Sequence, residues 1–115
     1  MGLSTHVLDT MQGVPAAGMA AALFTTQGDI AHLVKRFVLN EDGRSGPLYD
    51  DGALRPGTYR LVFDVGGYFT ARGVVLPEPH FLGKVSIDFG VSDTRRHYHV
   101  PLLVSPWSYS TYRGS

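Results

Sequence analysis

Short runs in which apolar and polar residues alternate constrain the fold of this chain more than any other feature of its sequence. Every second side chain of Lys84–Val91 is apolar, beginning with Val85, and Tyr59–Val65 repeats the pattern. Alternation with a period of two is typical of strands that bury one face. Less regular strands are predicted near residues 3–9, 18–26, 31–39, 97–104 and 107–113.

Turn-forming residues separate these runs. The chain of 115 residues contains 14 glycines and 7 prolines, and segments such as Glu41-Asp42-Gly43 and Arg55-Pro56-Gly57 have the composition of turns. Only Gly67–Arg72 is predicted to form a short helix. Several short strands with little helix favour an all-β fold of two packed sheets, and the length predicts a single domain over residues 1–115.

The charge balance and the composition argue against several classes of partner. Ten basic and ten acidic residues cancel, so no net field attracts nucleic acid or an anionic membrane. Without cysteine the chain has no disulfides and no thiolate metal ligands. It has no apolar run near the roughly 18 residues of a membrane span and no basic start of a signal peptide. We therefore expect a cytoplasmic protein with no nucleic-acid or membrane partner.

The end of the chain is predicted to bring an imidazole close to a phenol. A hairpin that turns at Ser105-Pro106 pairs residues whose numbers sum to 211, which places His99 opposite Tyr112 on a mostly polar face. The apolar residues of 100–104 then share the other face, which supports this register. Because residues 107–113 contain no interior Pro or Lys, this edge strand also predicts sheet extension by another subunit, the alternative being an edge covered by the chain's own loops.

Two histidines near the end of the chain are candidates for chemistry or for metal binding. His97 and His99 lie two residues apart and share a face of their strand, an arrangement that suits zinc or copper. No cysteine or obvious carboxylate cluster completes such a site, so we expect no metal. Histidines that are merely solvated or hydrogen-bonded on a polar face are the plainer alternative.

An arginine lies in the predicted loop Asn40–Gly46. The guanidinium of Arg44 can pair in bidentate fashion with planar carbonyls or an anionic heterocycle, although a solvated loop arginine is the simpler interpretation. A G-x-S-x-G motif, a phosphate-binding loop and a dinucleotide fingerprint are all absent, which argues against serine hydrolases, kinases and dehydrogenases.

Four short motifs occur in order along almost the whole chain: Leu3–Thr10 followed by Gly13–Ala16, Asn40–Arg44, His97–Leu103 and Tyr112–Ser115. Together they resemble the 5-hydroxyisourate hydrolases, the transthyretin-related enzymes of urate breakdown. The Tyr-Arg-Gly-Ser ending separates these hydrolases from the hormone-carrying transthyretins, which share their fold. Two places depart from the family pattern: Leu39, where threonine is common, and Phe81–Lys84 before the sixth strand.

The resemblance implies a transthyretin-like sandwich of about eight strands with one short helix, assembled as a dimer of dimers with active sites between subunits. It also implies hydrolysis of 5-hydroxyisourate to 2-oxo-4-hydroxy-4-carboxy-5-ureidoimidazoline, without a cofactor. The catalytic groups implied are His6, Arg44, His99 and Ser115, and the substrate-binding groups are His6, Arg44, Tyr112 and Arg113.

Two other classes of function stay open on the sequence. A transthyretin-like carrier would bind a small aromatic ligand in the same channel without converting it. A structural or adhesive sandwich module would need none of the histidines, and the chemical content of the polar face argues against it.

Overall fold

The computed structural model describes residues 2–114 as two packed four-stranded sheets with one short helix. The strand orders are β2-β1-β7-β8 and β4-β3-β5-β6, which confirms the predicted all-β sandwich. No helix in this described part is long and apolar enough to cross a membrane. The elements are β1 (Leu3–Asp9), β2 (Val14–Pro15), β3 (Ala20–Gln27), β4 (Ile30–Val38), β5 (Gly57–Phe63), α1 (Val65–Ala71), β6 (Val85–Val91), β7 (Tyr98–Val104) and β8 (Tyr109–Thr111).

The predicted strands and helix are present, with shifts at their ends that local contacts explain. The helix α1 begins at Val65 rather than Gly67, because the Asp64 carboxylate caps it and accepts a hydrogen bond from the Gly67 N–H at 3.1 Å. Strand β2 was not predicted, since its two residues, Val14 and Pro15, are too few to form an alternating pattern.

The core lies between the two sheets and is lined by the alternating apolar side chains that the sequence pattern singled out. Leu3 and Val7 of β1 are fully buried there, as are Leu61 and Phe63 of β5 and Phe69 of α1. In β1 the burial alternates at every residue, so the even-numbered side chains point to the outer face of the sheet. That outer face carries the candidate site.

The hairpin register predicted for the end of the chain was wrong by two residues. Strands β7 and β8 pair Leu102 with Thr111, and a further bridge joins His99 to Gly114, so paired numbers sum to 213. A shift by two residues keeps each side chain on its predicted face. Tyr112 therefore stays on the face of His99 but does not lie directly opposite it.

The turn that joins β7 to β8 explains this error. It spans Ser105–Ser108, and the Ser105 N–H donates to the Ser108 carbonyl at 2.9 Å. The Ser105 hydroxyl also accepts the backbone N–H groups of Trp107 and Ser108, both at 3.1 Å. Two residues that were assigned to the last strand thus belong to the turn.

Candidate active site

Parallel pairing of β1 with β7 brings two histidines together on the outer face of the first sheet. The register aligns Ser4 with His99 and His6 with Pro101. The side chains of His6 and His99 are half-buried, and their ring centroids lie 6.4 Å apart with the planes inclined at 32°. The two imidazoles are therefore close enough to act on one small molecule.

The loop that carries Arg44 lies along the edge of β1 that faces away from β7, so that Arg44 is bridged to His6 in antiparallel fashion. The Val7 N–H donates to the Gly43 carbonyl at 2.8 Å, which fixes the loop against the strand. Gly43 has a φ of +72°, and a Cβ atom there would lie 2.6 Å from the Val7 carbonyl oxygen. The Asn40–Arg44 motif therefore places Arg44 beside His6.

Asn40 organises the same loop from within. Its side-chain oxygen accepts hydrogen bonds from the backbone N–H groups of Asp42 at 2.9 Å and Arg44 at 3.0 Å. Leu39, the first departure from the family pattern, is 2% exposed in the core and donates its N–H to the Met19 carbonyl. An apolar residue at that position thus still anchors the loop.

Burial and neighbouring positive charge keep both site histidines uncharged near neutral pH. Partial burial lowers the pKa of His6, and the guanidinium of Arg44 lowers it further, while the main chain and the negative charge of Asp42 oppose this shift. Burial, Arg44, His6 and His97 lower the pKa of His99, while the main chain of Ser4 opposes this shift. A neutral imidazole can accept a proton, as a general base must.

Ser4 is the residue of this site that the sequence reasoning missed. Its hydroxyl lies 2.9 Å from Nε2 of His97 and 2.8 Å from Nδ1 of His99. The signal was present, because Ser4 lies two residues before His6 and shares its face, but its neighbours on β7 were not known. In the described part of the chain, no group of three or more His, Cys, Asp or Glu residues is arranged to hold a metal ion.

The side chains of Tyr112 and Arg113, near the end of the chain, have different surroundings. Tyr112 is exposed, whereas the guanidinium carbon of Arg113 lies 4.1 Å from the ring centre of Tyr98. The Gly114 N–H donates to the His99 carbonyl at 2.8 Å, and a Cβ atom on Gly114 would lie 2.8 Å from Cδ2 of His99. Only glycine allows the chain to pass so close to this ring. The predicted catalytic Ser115 lies outside the described residues.

Tyr98 supports the terminal segment through its contact with Arg113. Its hydroxyl accepts hydrogen bonds from the backbone N–H groups of Ser92 and Asp93, both at 3.1 Å. The Ser92 hydroxyl, these N–H groups and the charge of Arg113 lower the pKa of Tyr98 to about 8. The Arg113 side chain therefore stacks on a ring that is itself held in place.

Two cavities meet at His99. One, of about 260 Å³, is lined by residues that include Ser4, Arg44, His97 and His99. The other, of about 310 Å³, lies towards the chain end and also includes Tyr112. His99 thus lines both cavities, one on the side of Arg44 and one at the edge between the two sheets, where Ile87 and Phe89 of β6 face the end of the chain.

Residues 3–114 match the model of the HIUase/Transthyretin family. The chain belongs to this family. A curated relative, 5-hydroxyisourate hydrolase 2 of Rhizobium meliloti, is 52% identical over 114 residues, which cover 98% of this chain and 95% of that protein. A relative from Ralstonia nicotianae, named 5-hydroxyisourate hydrolase, is 53% identical and is covered over 97% of its length.

Solved structures agree with this assignment. The 5-hydroxyisourate hydrolase of Klebsiella pneumoniae superposes with a TM-score of 0.82 and 32% identity, with both chains fully covered. Sea bream transthyretin in complex with thyroxine gives 0.87 and 27%, covering 99% of this chain and 95% of that one. A structure of (S)-allantoin synthase superposes with a TM-score of 0.92 and 44% identity. The match covers 99% of this chain but only 43% of that longer chain.

Proposed function

We propose that this chain hydrolyses 5-hydroxyisourate to 2-oxo-4-hydroxy-4-carboxy-5-ureidoimidazoline. The observation that carries the proposal is the meeting of His6, Arg44 and His99 on one sheet face, in a chain whose curated relatives bear the name of this enzyme. The substrate is a planar, oxygen-rich heterocycle, and the reaction opens its six-membered ring at an amide.

The histidines supply the proton transfer that water needs in order to attack a carbonyl. One of His6 and His99 removes the proton from water, while the other orients the water or donates to the departing nitrogen. Their lowered pKa values leave both rings ready to accept a proton near neutral pH. General base catalysis of this kind contributes roughly 10²–10⁴ in rate.

Arg44 and the end of the chain hold the substrate. The guanidinium binds substrate oxygen atoms and stabilises the negative charge that develops at the attacked carbonyl. Tyr112 contacts the ring edge, Arg113 completes the terminal wall of the site, and Ser115 is proposed as a further catalytic group. Arg113 does this through its stacking on Tyr98, which keeps the last residues beside His99. Hydrolysis of an amide needs neither redox chemistry nor an electron sink, so no cofactor enters this scheme.

The working form proposed here is a homotetramer built as a dimer of dimers, with the sites between subunits. Two features support it: β6 and β8 are edge strands of their sheets, and the outer face that carries His6 and His99 is only half-buried in one chain. A partner packed on that face would exclude water and strengthen the electrostatic contacts of the substrate. A cytoplasmic location without nucleic-acid or membrane partners is also proposed.

Loss of freshly generated 5-hydroxyisourate, followed in the presence of a chelator, tests the activity. Wild-type protein should consume the substrate, and His99→Asn should slow it by roughly 10²-fold or more, because a proton-transfer group is lost. His32→Gln is the matched control, since His32 lies on the exposed strand β4. Full activity of the His99 variant would remove His99 from the mechanism, and inactivity caused by the chelator would favour a metal site.

The second candidate function is a carrier. Its support is the likeness to a transthyretin that was solved in complex with thyroxine. The exposed serines 108 and 110 give the corresponding face of this chain a polar lining that suits an apolar hormone poorly. Saturable binding of thyroxine by protein that leaves 5-hydroxyisourate unchanged would establish the carrier function instead.

A further inference from the structure

The Ser4 hydroxyl lies between two histidine rings and makes a hydrogen bond to each. It is 2.9 Å from Nε2 of His97 and 2.8 Å from Nδ1 of His99. A hydroxyl has one proton and two lone pairs, so it cannot donate to both rings at once. The direction of one hydrogen bond therefore constrains the direction of the other.

A main-chain hydrogen bond determines which ring nitrogen of neutral His97 carries the proton. The Gly2 N–H donates to Nδ1 of His97 at 3.3 Å, and a backbone N–H group has no lone pair with which to accept. Nδ1 is therefore unprotonated, and neutral His97 carries its proton on Nε2. That proton is donated to the Ser4 hydroxyl oxygen.

The same reasoning then reaches His99. Once Ser4 accepts from His97, its own proton is free to be donated to Nδ1 of His99, which completes a chain of hydrogen bonds that all run in one direction. We propose that Ser4 and His97 are positioning residues that hold neutral His99 in the tautomer protonated at Nε2. His99 is then the hydrogen-bond donor to the substrate, and His6 is the general base.

This assignment resolves the roles of the two histidines and rests on the proposed function for its substrate. His6 removes a proton from water as the water oxygen bonds to the ring carbonyl carbon. The Nε2–H group of His99 and the Arg44 guanidinium donate to the oxygen that becomes negative. The carbon–nitrogen bond then breaks, and His6 returns the proton to the departing nitrogen, so that one water molecule is consumed and His6 is regenerated.

A neutral imidazole is well suited to donate in this way. Burial lowers the pKa of His99, and the charges of Arg44, His6 and His97 lower it further, so the ring stays neutral near pH 7 and acts through its N–H group. The Ser4 hydroxyl donating to Nδ1 draws electron density from the ring, which strengthens the donor at Nε2. His6, in turn, lies beside Arg44, and burial together with that positive charge lowers its pKa, so its ring can accept the proton from water near neutral pH.

The direct test is the tautomer of His99, read from the nitrogen chemical shifts of protein labelled with ¹⁵N in its histidines, under mildly alkaline conditions. We expect a protonated Nε2 and an unprotonated Nδ1 in His99. A proton on Nδ1, donated to the Ser4 hydroxyl or carbonyl, would overturn the proposal. The measurement needs no turnover, so it decides the tautomer even if the protein fails to hydrolyse 5-hydroxyisourate, which would refute the proposed function alone.

Two substitutions extend the test to the positioning residues. Ser4→Ala removes the bridge, and we expect a mixed His99 tautomer with kcat lowered by roughly 10- to 100-fold and little change in KM. This loss is smaller than the ~10⁴-fold loss that follows when a catalytic histidine is held in the wrong tautomer. Ser4→Thr is the matched control, because it keeps the hydroxyl and should keep both the tautomer and most of kcat.

His97→Phe tests the direction of the hydrogen-bond chain while leaving Ser4, His6 and His99 in place. His97 is exposed, so the fold should survive its replacement. With the donor from His97 gone, the Ser4 oxygen can accept from Nδ1–H of His99, and we expect that tautomer to increase and kcat to fall. An unchanged His99 tautomer in both His97→Phe and Ser4→Ala would show that neither residue positions His99.

Discussion

Strand β1 carries polar side chains on both faces, and the fold treats the two faces differently. On the inner face Thr5 and Asp9 are fully buried, and the Thr5 hydroxyl donates to the Val100 carbonyl at 2.6 Å. The Asp9 carboxylate accepts the Tyr68 hydroxyl at 2.9 Å, a contact that ties α1 to the first sheet. Buried polar groups must be satisfied within the chain, so these residues serve the fold.

On the outer face the polar side chains of β1 stay half-buried and keep room for a ligand. The Ser4 hydroxyl is hydrogen-bonded to His99 of β7, and His6 lies next to Arg44 with a lowered pKa. The comparison teaches that one strand can divide its polar residues between stability and chemistry by their position in the alternation alone. Ser4 and His6 belong to the site, whereas Thr5 and Asp9 point into the core.

The largest expected effect is a loss of activity when Arg44, beside the outer face of β1, is replaced. Arg44→Ala should lower kcat/KM by roughly 10²–10³-fold, because the group that stabilises the developing charge is lost. The same change removes a positive charge that lowers the pKa of both His6 and His99. The acid limb of the pH–rate profile should therefore move to higher pH.

Arg44→Lys separates the two consequences of that change. It keeps the charge, so the acid limb should stay in place, but it loses bidentate geometry, so kcat/KM should still fall. Stability should change little in either variant, since Arg44 is exposed. An Arg44→Ala protein with wild-type kcat/KM would contradict the division between the two faces.

Gly43→Ala should lower both the stability of the fold and the activity of the site, because Gly43 joins the loop of Arg44 to β1. An added Cβ atom would meet the Val7 carbonyl oxygen at 2.6 Å, in a backbone conformation with φ of +72°. We expect about 1–3 kcal/mol of lost stability from the strained conformation, together with a loss of activity as Arg44 moves. Chemical denaturation and the substrate assay measure the two effects.

Gly46→Ala is the matched control for that substitution. Gly46 has a φ of +68° in the same loop, but an added Cβ atom would meet no atom within 4 Å. It should lose only the part of the stability that comes from the backbone conformation. Equal losses in the two variants would show that the close approach to Val7 is unimportant.

Asp9→Ala should destabilise the protein without impairing the chemistry of the folded molecules. The substitution leaves the Tyr68 hydroxyl buried without its acceptor, which costs about 1–3 kcal/mol. Tyr68→Phe removes the donor instead, and should destabilise less because Asp9 still accepts the Gln12 N–H at 2.9 Å. A fall in kcat for folded Asp9→Ala protein would mean that the two faces of β1 are coupled.

The smallest effect is a dependence of stability on pH that arises on the outer face. His6 and His99 have lower pKa values in the folded protein than the 6.5 of the free side chain, chiefly because of burial. The unfolded chain therefore takes up protons first. The stability from these groups is complete above pH 6.5 and is lost as the pH falls through the folded pKa values.

Denaturation of a His6→Gln, His99→Gln double variant across this range measures that contribution. Its stability should change less with pH below 6.5 than the stability of wild type does. His32→Gln, on the exposed strand β4, should leave the wild-type slope unchanged. A double variant with the same slope as wild type would assign the pH dependence to other groups.

Local pattern was sufficient to predict the faces of most strands but not their neighbours. The alternation in β5 and β6 predicted which side chains enter the core, since a pleated strand sends successive residues to opposite sides. The register of the last hairpin failed because the number of residues in its turn depends on the hydrogen bonds of Ser105, which the pattern does not contain.

The site shows the same limit. The motifs indicated His6, Arg44 and His99 through their resemblance to a family, whereas Ser4 passed unnoticed among the strand-forming residues. Its role becomes visible only when Ser4 and His99, 95 residues apart, are aligned in the parallel pairing of β1 and β7.

The sequence by itself determined an all-β chain, the inward and outward faces of its strands, and a set of histidine and arginine motifs typical of one enzyme family. Only the tertiary structure decided that β1 lies parallel to β7, that the arginine loop lies along β1, and that Ser4 joins two imidazoles. The reason is physical: alternation records the solvent exposure of each residue, which is a local property. The choice of neighbouring strand is set by the packing of the whole core, to which residues far apart in the chain contribute together.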